Sequence, residues 1–293
     1  MFQGSFPALI TPFVEGRIDE KAYAELVEWH IEQGSSGVVP AGTTGESPTL
    51  TTQEHERLIS ICVETAAGRA PVIAGAGSNA TAESVALAQH AAKAGADAVM
   101  AIVPYYNKPT QEGLYQHYKA INDAIDIPIV IYNAPGRTSI DIADDTLVRL
   151  AGLANIAAVK DATNDLERPV ALRTSLAEAG RDLTLLCGEN ATVAAFFAQG
   201  GQGWICVTGN VAPAACRQLV DAALAGDMAS VSQLRDRLDP LQRALFAQTN
   251  PIPVKYACSK IGKCRNTLRL PLVPASKATR QAIDAALAHA RLS

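Results

Sequence analysis

Lys160 closes the apolar run Ile156-Ala157-Ala158-Val159 and is followed by Asp161. A side chain leaving a buried strand sits in low dielectric, which disfavours the ammonium form and lowers the amine pKa. A neutral amine can add to a ketone and form a Schiff base, whose cationic nitrogen is an electron sink. Tyr132 closes the run Pro128–Tyr132. With an ordinary pKa of about 10 its hydroxyl both donates and accepts, so it could relay protons during imine formation without being a standing base. Gly42-Thr43-Thr44-Gly45-Glu46-Ser47 sets two threonines between glycines. Such a turn can direct backbone N–H groups toward one point and cradle a carboxylate. Arg137 follows Pro135-Gly136 and suits bidentate capture of a substrate carboxylate. Taken singly, each has an ordinary reading: a solvated strand-end lysine, a packing tyrosine, a tight turn, a surface arginine. Together they describe a site for keto acids.

The elements that must position these residues form a repeat. The apolar runs Phe6–Phe13, Gly37–Ala41, Pro71–Ala76, Ala98–Pro104, Pro128–Tyr132, Ile156–Lys160, Leu183–Cys187 and Trp204–Thr208 start about 20 to 34 residues apart. Between them lie amphipathic stretches at Asp19–Gln33, Thr51–Ala67, Thr81–Ala94, Gln111–Ile125, Asp141–Ala151 and Asp165–Ala179. Continuous hydrophobicity suits strands buried on both faces of a parallel sheet. The spacing predicts an α/β fold, a (β/α)8 TIM barrel, whose chemistry lies at the carboxyl ends of the strands. Thr51 and Glu54 have capping-box spacing, and Gly34, Gly68 and Gly95 fall where helices should stop. Helical patterns at Pro213–Ala225, Met228–Ala247, Ile252–Lys260 and Ser276–Leu292 complete the chain. The expected organisation is a barrel over 1–225 and a C-terminal helical extension over 226–293. A doubly wound open sheet is the rival, because Gly75-Ala76-Gly77-Ser78-Asn79-Ala80 matches G-x-G-x-x-A. The acid that a bound ribose requires, Asp97, precedes the next strand instead of ending it, which favours a tight βα turn.

Composition narrows the function classes. The chain of 293 residues carries 25 Lys+Arg against 29 Asp+Glu, a net charge of -4, with no polybasic stretch. Neither nucleic acid nor an anionic membrane surface is an expected partner. No run of ~18 apolar residues suits a membrane span, and Met1-Phe2-Gln3-Gly4-Ser5 lacks the basic and apolar regions of a signal peptide; a cytoplasmic location is expected. His30, His55, His90, His117 and His289 form no H-x-H or H-E-x-x-H pattern, so no metal is expected. Cys62, Cys187, Cys206, Cys216, Cys258 and Cys264 contain no C-x-x-C pair and read as small buried hydrophobes.

Gly42-Thr43-Thr44-Gly45-Glu46-Ser47, Tyr105-Tyr106-Asn107-Lys108-Pro109, Tyr132-Asn133-Ala134-Pro135-Gly136-Arg137-Thr138 and Val159-Lys160-Asp161 together resemble the dihydrodipicolinate synthases of lysine and diaminopimelate biosynthesis. The resemblance runs through nearly the whole chain, in order. It implies a (β/α)8 barrel with C-terminal helices, assembled as a homotetramer of two tight dimers. It further implies a lyase that condenses pyruvate with L-aspartate 4-semialdehyde through an imine on Lys160. Tyr132, Thr44 and Tyr106 match the proton-relay positions, Tyr106 being supplied across the tight-dimer interface. Thr43 and Thr44 match the pyruvate-carboxylate site, Arg137 the semialdehyde-carboxylate site, and Gly188 and Ile205 pocket-lining positions. No cofactor is implied, because the lysine supplies the electron sink. Ser47, His55, Asn79, Glu83 and Tyr105 match a feedback site for L-lysine, although Thr52 stands where sensitive members commonly carry histidine and Pro48 where alanine is frequent. N-acetylneuraminate lyases and 2-keto-3-deoxy sugar acid aldolases share the imine lysine and tyrosine, and Arg137 favours a short substrate bearing a carboxylate. A metal-dependent barrel hydrolase and a non-catalytic acid-binding barrel are the readings from other classes.

Overall fold

A computed structural model describes residues 2–292. In chain order the strands are β1 (Gly4–Pro7), β2 (Phe13–Val14), β3 (Arg17–Ile18), β4 (Ile73–Gly75), β5 (Ala98–Ile102), β6 (Ile129–Asn133), β7 (Ile156–Asp161), β8 (Thr184–Cys187) and β9 (Gly203–Cys206). The helices are α1 (Glu20–Glu32), α2 (Thr52–Ala66), α3 (Thr81–Ala94), α4 (Gln111–Asn122), α5 (Pro135–Thr138), α6 (Asp144–Leu150), α7 (Arg168–Glu178), α8 (Val193–Ala198), α9 (Pro213–Leu224), α10 (Met228–Ala244), α11 (Ile252–Lys260) and α12 (Lys277–Ala290). The described residues fall into two compact units, Gly4–Val72 with 206–292, and 2–3 with Ile73–Ile205.

Within Ile73–Ile205 every neighbouring strand pair is parallel, in the order β4, β5, β6, β7, β8, β9. The crossover between each pair contains at least one helix. Valine, isoleucine and alanine dominate β5 to β7, and Val99, Ile129, Ile131 and Ala158 are fully buried, as strands covered on both faces require. The G-x-G-x-x-A segment is a close-packed turn: a Cβ on Gly77 would lie 2.4 Å from the backbone nitrogen of Ile102. The glycine is therefore demanded by contact with β5, without recourse to a nucleotide.

In the other unit, the expected strand Phe6–Phe13 is divided. β1 precedes Ala8–Pro12, and β2 pairs antiparallel with β3. Gly37–Ala41 forms single parallel bridges, Ala8 with Val39 and Val38 with Val72, in place of a full ladder. Thr51 caps α2 in the expected box, with its hydroxyl accepting from the Glu54 N–H and the Glu54 carboxylate accepting from the Thr51 N–H. The C-terminal helices α9 to α12 lie close to their predicted bounds, and Arg237 in α10 donates to the Ala290 carbonyl of α12 at 2.9 Å. The six cysteines are free, all buried except the half-buried Cys264.

His30, on the buried face of α1, is fully buried. Burial, reinforced by the charge of Lys263, lowers its pKa to about 3, so the folded protein keeps the ring neutral where the unfolded chain takes up a proton. Its stabilising contribution is complete above about pH 6.5 and is lost as pH falls toward 3. By pH 4.5 that loss is about 2–3 kcal/mol at ~1.4 kcal/mol per unit. Melting temperatures followed from pH 7.5 to 4.5 should fall further for the wild type than for His30→Gln; parallel curves would refute the assignment.

Candidate active site

β6 and β7 bring two of the predicted residues face to face. Tyr132 and Lys160 are register partners across this pair, each 6% exposed. The Lys160 Nζ lies 3.9 Å from the centre of the Tyr132 ring, a cation–π distance. Beside them, Asn133 and Asp161 are also register partners. Asn133 is fully buried and donates to Asp141 Oδ1 at 2.7 Å. Arg168, at the start of α7, reaches Asp141 at 2.7 Å, Asp144 at 2.9 Å and Asp161 at 3.7 Å. Burial raises the Asp161 carboxyl pKa, opposed chiefly by the Arg168 charge. This network braces the strand end from which Lys160 projects.

The ends of β8 and β9 carry the next residues. Gly188 follows β8, and its N–H donates to the Asp161 carbonyl at 2.7 Å. A Cβ there would lie 2.8 Å from that same oxygen, so only glycine allows the approach. Glu189 is held through its carbonyl, which accepts from Trp204 Nε1 at 2.9 Å and Cys187 Sγ at 3.1 Å. Burial raises its carboxyl pKa, and the charges of Lys160 and then Arg137 oppose the shift. Ile205, on β9, is buried. Arg137, itself exposed, occupies the single turn α5, where proline suits the first position and Ser139 closes the turn in the left-handed region. Tyr105 is half-buried, while Tyr106 is 89% exposed at φ 71. Glu83, in the first turn of α3, accepts a hydrogen bond from the Ser78 hydroxyl, and the Asn79 carbonyl accepts from Asn107 at 2.8 Å.

Thr43 and Thr44 belong to the other unit, in the 3-10 turn Thr43–Gly45. The turn's own bonding begins at Gly45, whose N–H reaches the Gly42 carbonyl at 3.0 Å. The N–H groups of Thr43 and Thr44 precede that bond, as the first amides of any helical turn do. Thr44 is buried and its hydroxyl accepts from Asn250 at 3.0 Å. Glu46 closes the turn at φ 58, a left-handed conformation costing about 1–2 kcal/mol outside glycine. Ser47 follows in a second 3-10 turn, Ser47–Thr49, and His55 is buried on α2.

Several contributors escape a motif-based reading. Glu189 obeys the same strand-end logic as Lys160 but sits two residues past its strand. Lys255, on α11, is a second buried lysine, fully enclosed and bonded to Glu46. Burial lowers its pKa, and the Glu46 carboxylate opposes that shift. A charge inside the apolar pattern Ile252-Pro253-Val254-Lys255 is the signal that marks it. Among the described residues, no group of three or more His, Cys, Asp or Glu is placed to hold a metal ion. Nor is any helix long and apolar enough to cross a membrane.

The model of the dihydrodipicolinate synthetase family matches residues 1–290. A 4-hydroxy-tetrahydrodipicolinate synthase of Rhodospirillum centenum is 57% identical over 98% of both chains. The crystal structure of dihydrodipicolinate synthase from Aquifex aeolicus superposes with a TM-score of 0.96 at 44% identity, covering 99% of each chain. The Acinetobacter baumannii dihydrodipicolinate synthase, complexed with pyruvate, gives 0.96 at 42% identity over 100% of each chain. A lysine-bound synthase from Cyanidioschyzon merolae gives 0.95 at 34% identity, covering 100% of this chain and 99% of its own. The expected α/β fold, a (β/α)8 TIM barrel with C-terminal helices, is therefore the fold of this chain. The chain belongs to the dihydrodipicolinate synthetase family and is an enzyme of its lyase class.

Proposed function

We propose that this chain condenses pyruvate with L-aspartate 4-semialdehyde to give 4-hydroxy-tetrahydrodipicolinate, through an imine on Lys160. The observation that carries the reading is a buried lysine amine 3.9 Å from a buried tyrosine ring at the carboxyl ends of paired strands, in a chain 57% identical to a named synthase. Lys160 Nζ adds to the keto carbon of pyruvate and water leaves. A methyl proton is lost to give the enamine, and its carbon attacks the aldehyde. The amine of the semialdehyde then closes the ring on the former keto carbon and displaces Lys160. Tyr132, Thr44 and Tyr106 move the protons. Thr43 and Thr44 hold the pyruvate carboxylate, Arg137 holds that of the semialdehyde, and Gly188 and Ile205 line the pocket. The lysine itself is the electron sink, so the reaction needs neither a metal nor an organic cofactor. The chain works as a homotetramer in the cytoplasm, one protomer lending Tyr106 to its partner; the exposure of that side chain supports the assignment.

A coupled assay with pyruvate and aspartate semialdehyde tests the activity. Turnover should exceed that on N-acetylneuraminate or 2-keto-3-deoxy sugar acids and persist in EDTA. Preference for a sugar acid would overturn the substrate assignment. L-lysine binds through Ser47, His55, Asn79, Glu83 and Tyr105, weakened by Thr52 and Pro48. Calorimetric titration should detect it at millimolar concentration, and a flat titration would remove this ligand.

A further inference from the structure

Taking Thr43 and Thr44 as the pyruvate-carboxylate site, as proposed above, we infer that the buried Glu46–Lys255 ion pair is a latch that sets the geometry of that turn. It makes Lys255 and Glu46 positioning residues for pyruvate capture. Both side chains of the pair are 0% exposed. Nothing about folding alone requires two charges there, since a buried pair gains little over packed apolar groups. Their placement ties them to the turn. Glu46 is the residue that ends Thr43–Gly45, and its N–H returns to the Thr43 carbonyl at 3.1 Å. One carboxylate oxygen accepts from Lys255 Nζ; the other accepts from the Arg269 N–H at 3.0 Å. Both oxygens are thus occupied, which fixes the left-handed backbone at Glu46 that aims the preceding amides.

The same C-terminal segment grips the turn twice. Asn250 holds the Thr44 hydroxyl at 3.0 Å, and Lys255, on the first turns of α11, holds Glu46. On the opposite side Thr11 donates to the Gly45 carbonyl at 2.7 Å. The Phe13 ring receives the Lys255 ammonium at 4.0 Å and the Arg269 guanidinium at 4.4 Å, covering the pair with a π face. Only the Thr43 and Thr44 amides are left for a ligand by the turn's own bonding, and the latch keeps them pointed.

The test compares Lys255→Met, Glu46→Gln, the double variant and Lys255→Arg in the full-length protein. The double variant leaves no lone buried charge, so it folds where a single variant fails. The readouts are the pyruvate concentration giving half-maximal borohydride labelling of Lys160, and the KM for each substrate. We expect pyruvate half-saturation to rise about tenfold or more in the double variant, with the KM for aspartate semialdehyde changed less than about threefold. Lys255→Arg should recover most of the loss seen in Lys255→Met. Unchanged pyruvate half-saturation in the folded double variant overturns the latch, and so does an equal loss toward both substrates. Absence of a pyruvate adduct on Lys160 in the wild type would instead defeat the reading of the site itself.

Discussion

Lys160→Ala should lower turnover by at least about 10⁴-fold while leaving the melting temperature within a few degrees of wild type. The size of the effect follows from the role: the covalent step, the electron sink and the enamine all pass through one nitrogen, and removing a covalent nucleophile costs several powers of ten. Folding should survive the substitution. The cation–π contact with Tyr132 is worth about 0.5–2 kcal/mol, and the alanine stays within the pattern of β7. Removing the ammonium also removes the largest influence opposing the upward shift of the Glu189 carboxyl, so Glu189 should titrate higher in the variant. Turnover in Lys160→Ala within a hundredfold of wild type would mean that another group carries the chemistry.

Tyr106→Phe should reduce kcat by ~10²–10⁴-fold, the range for one proton-transfer group, with little change in stability. The side chain is 89% exposed and the backbone sits at φ 71, so losing a hydroxyl there disturbs no packing within the chain. If the tyrosine acts in a partner's site, mixing inactive chains should restore function. A protomer carrying Tyr106→Phe keeps its own Lys160 and receives an intact Tyr106 from a protomer carrying Lys160→Ala. Dissociating and reassociating the two variants should therefore yield up to about a quarter of wild-type activity, from random pairing in which half the dimers are mixed and each has one complete site. No recovery, in mixtures shown by native mass spectrometry to contain mixed assemblies, would place Tyr106 in its own chain's chemistry or outside it altogether.

The parts of the site that could be read from the sequence are those where local order decides position. Lys160 and Tyr132 end apolar runs, and the parallel register of β6 and β7 turns two strand ends into one pair. Thr51 and Glu54 cap α2 three residues apart as their spacing demands, and α11 spans Ile252–Lys260 as its bounding prolines suggest. The start of α7 is less legible. Asp161, Thr163 and Asp165 each accept from an N–H two residues on, and this series of side-chain turns delays the helix from Asp165 to Arg168. Pro135–Thr138 looks like a loop because proline and glycine dominate it, yet proline at the first helical position is compatible with a single turn. The latch is the least legible part. Glu46 and Lys255 are 209 residues apart, Thr44 and Asn250 206, and Glu46 and Arg269 223. No periodicity connects such positions; only the folded chain does.

Borohydride reduction in the presence of pyruvate, followed by peptide mass spectrometry, bears on the proposal most directly. The expected result is irreversible inactivation and one pyruvate-derived mass increment, mapped to the peptide containing Lys160 and absent when pyruvate is omitted. An unmodified Lys160 in an enzyme that still turns over, or an adduct on Lys255 in its place, would contradict it.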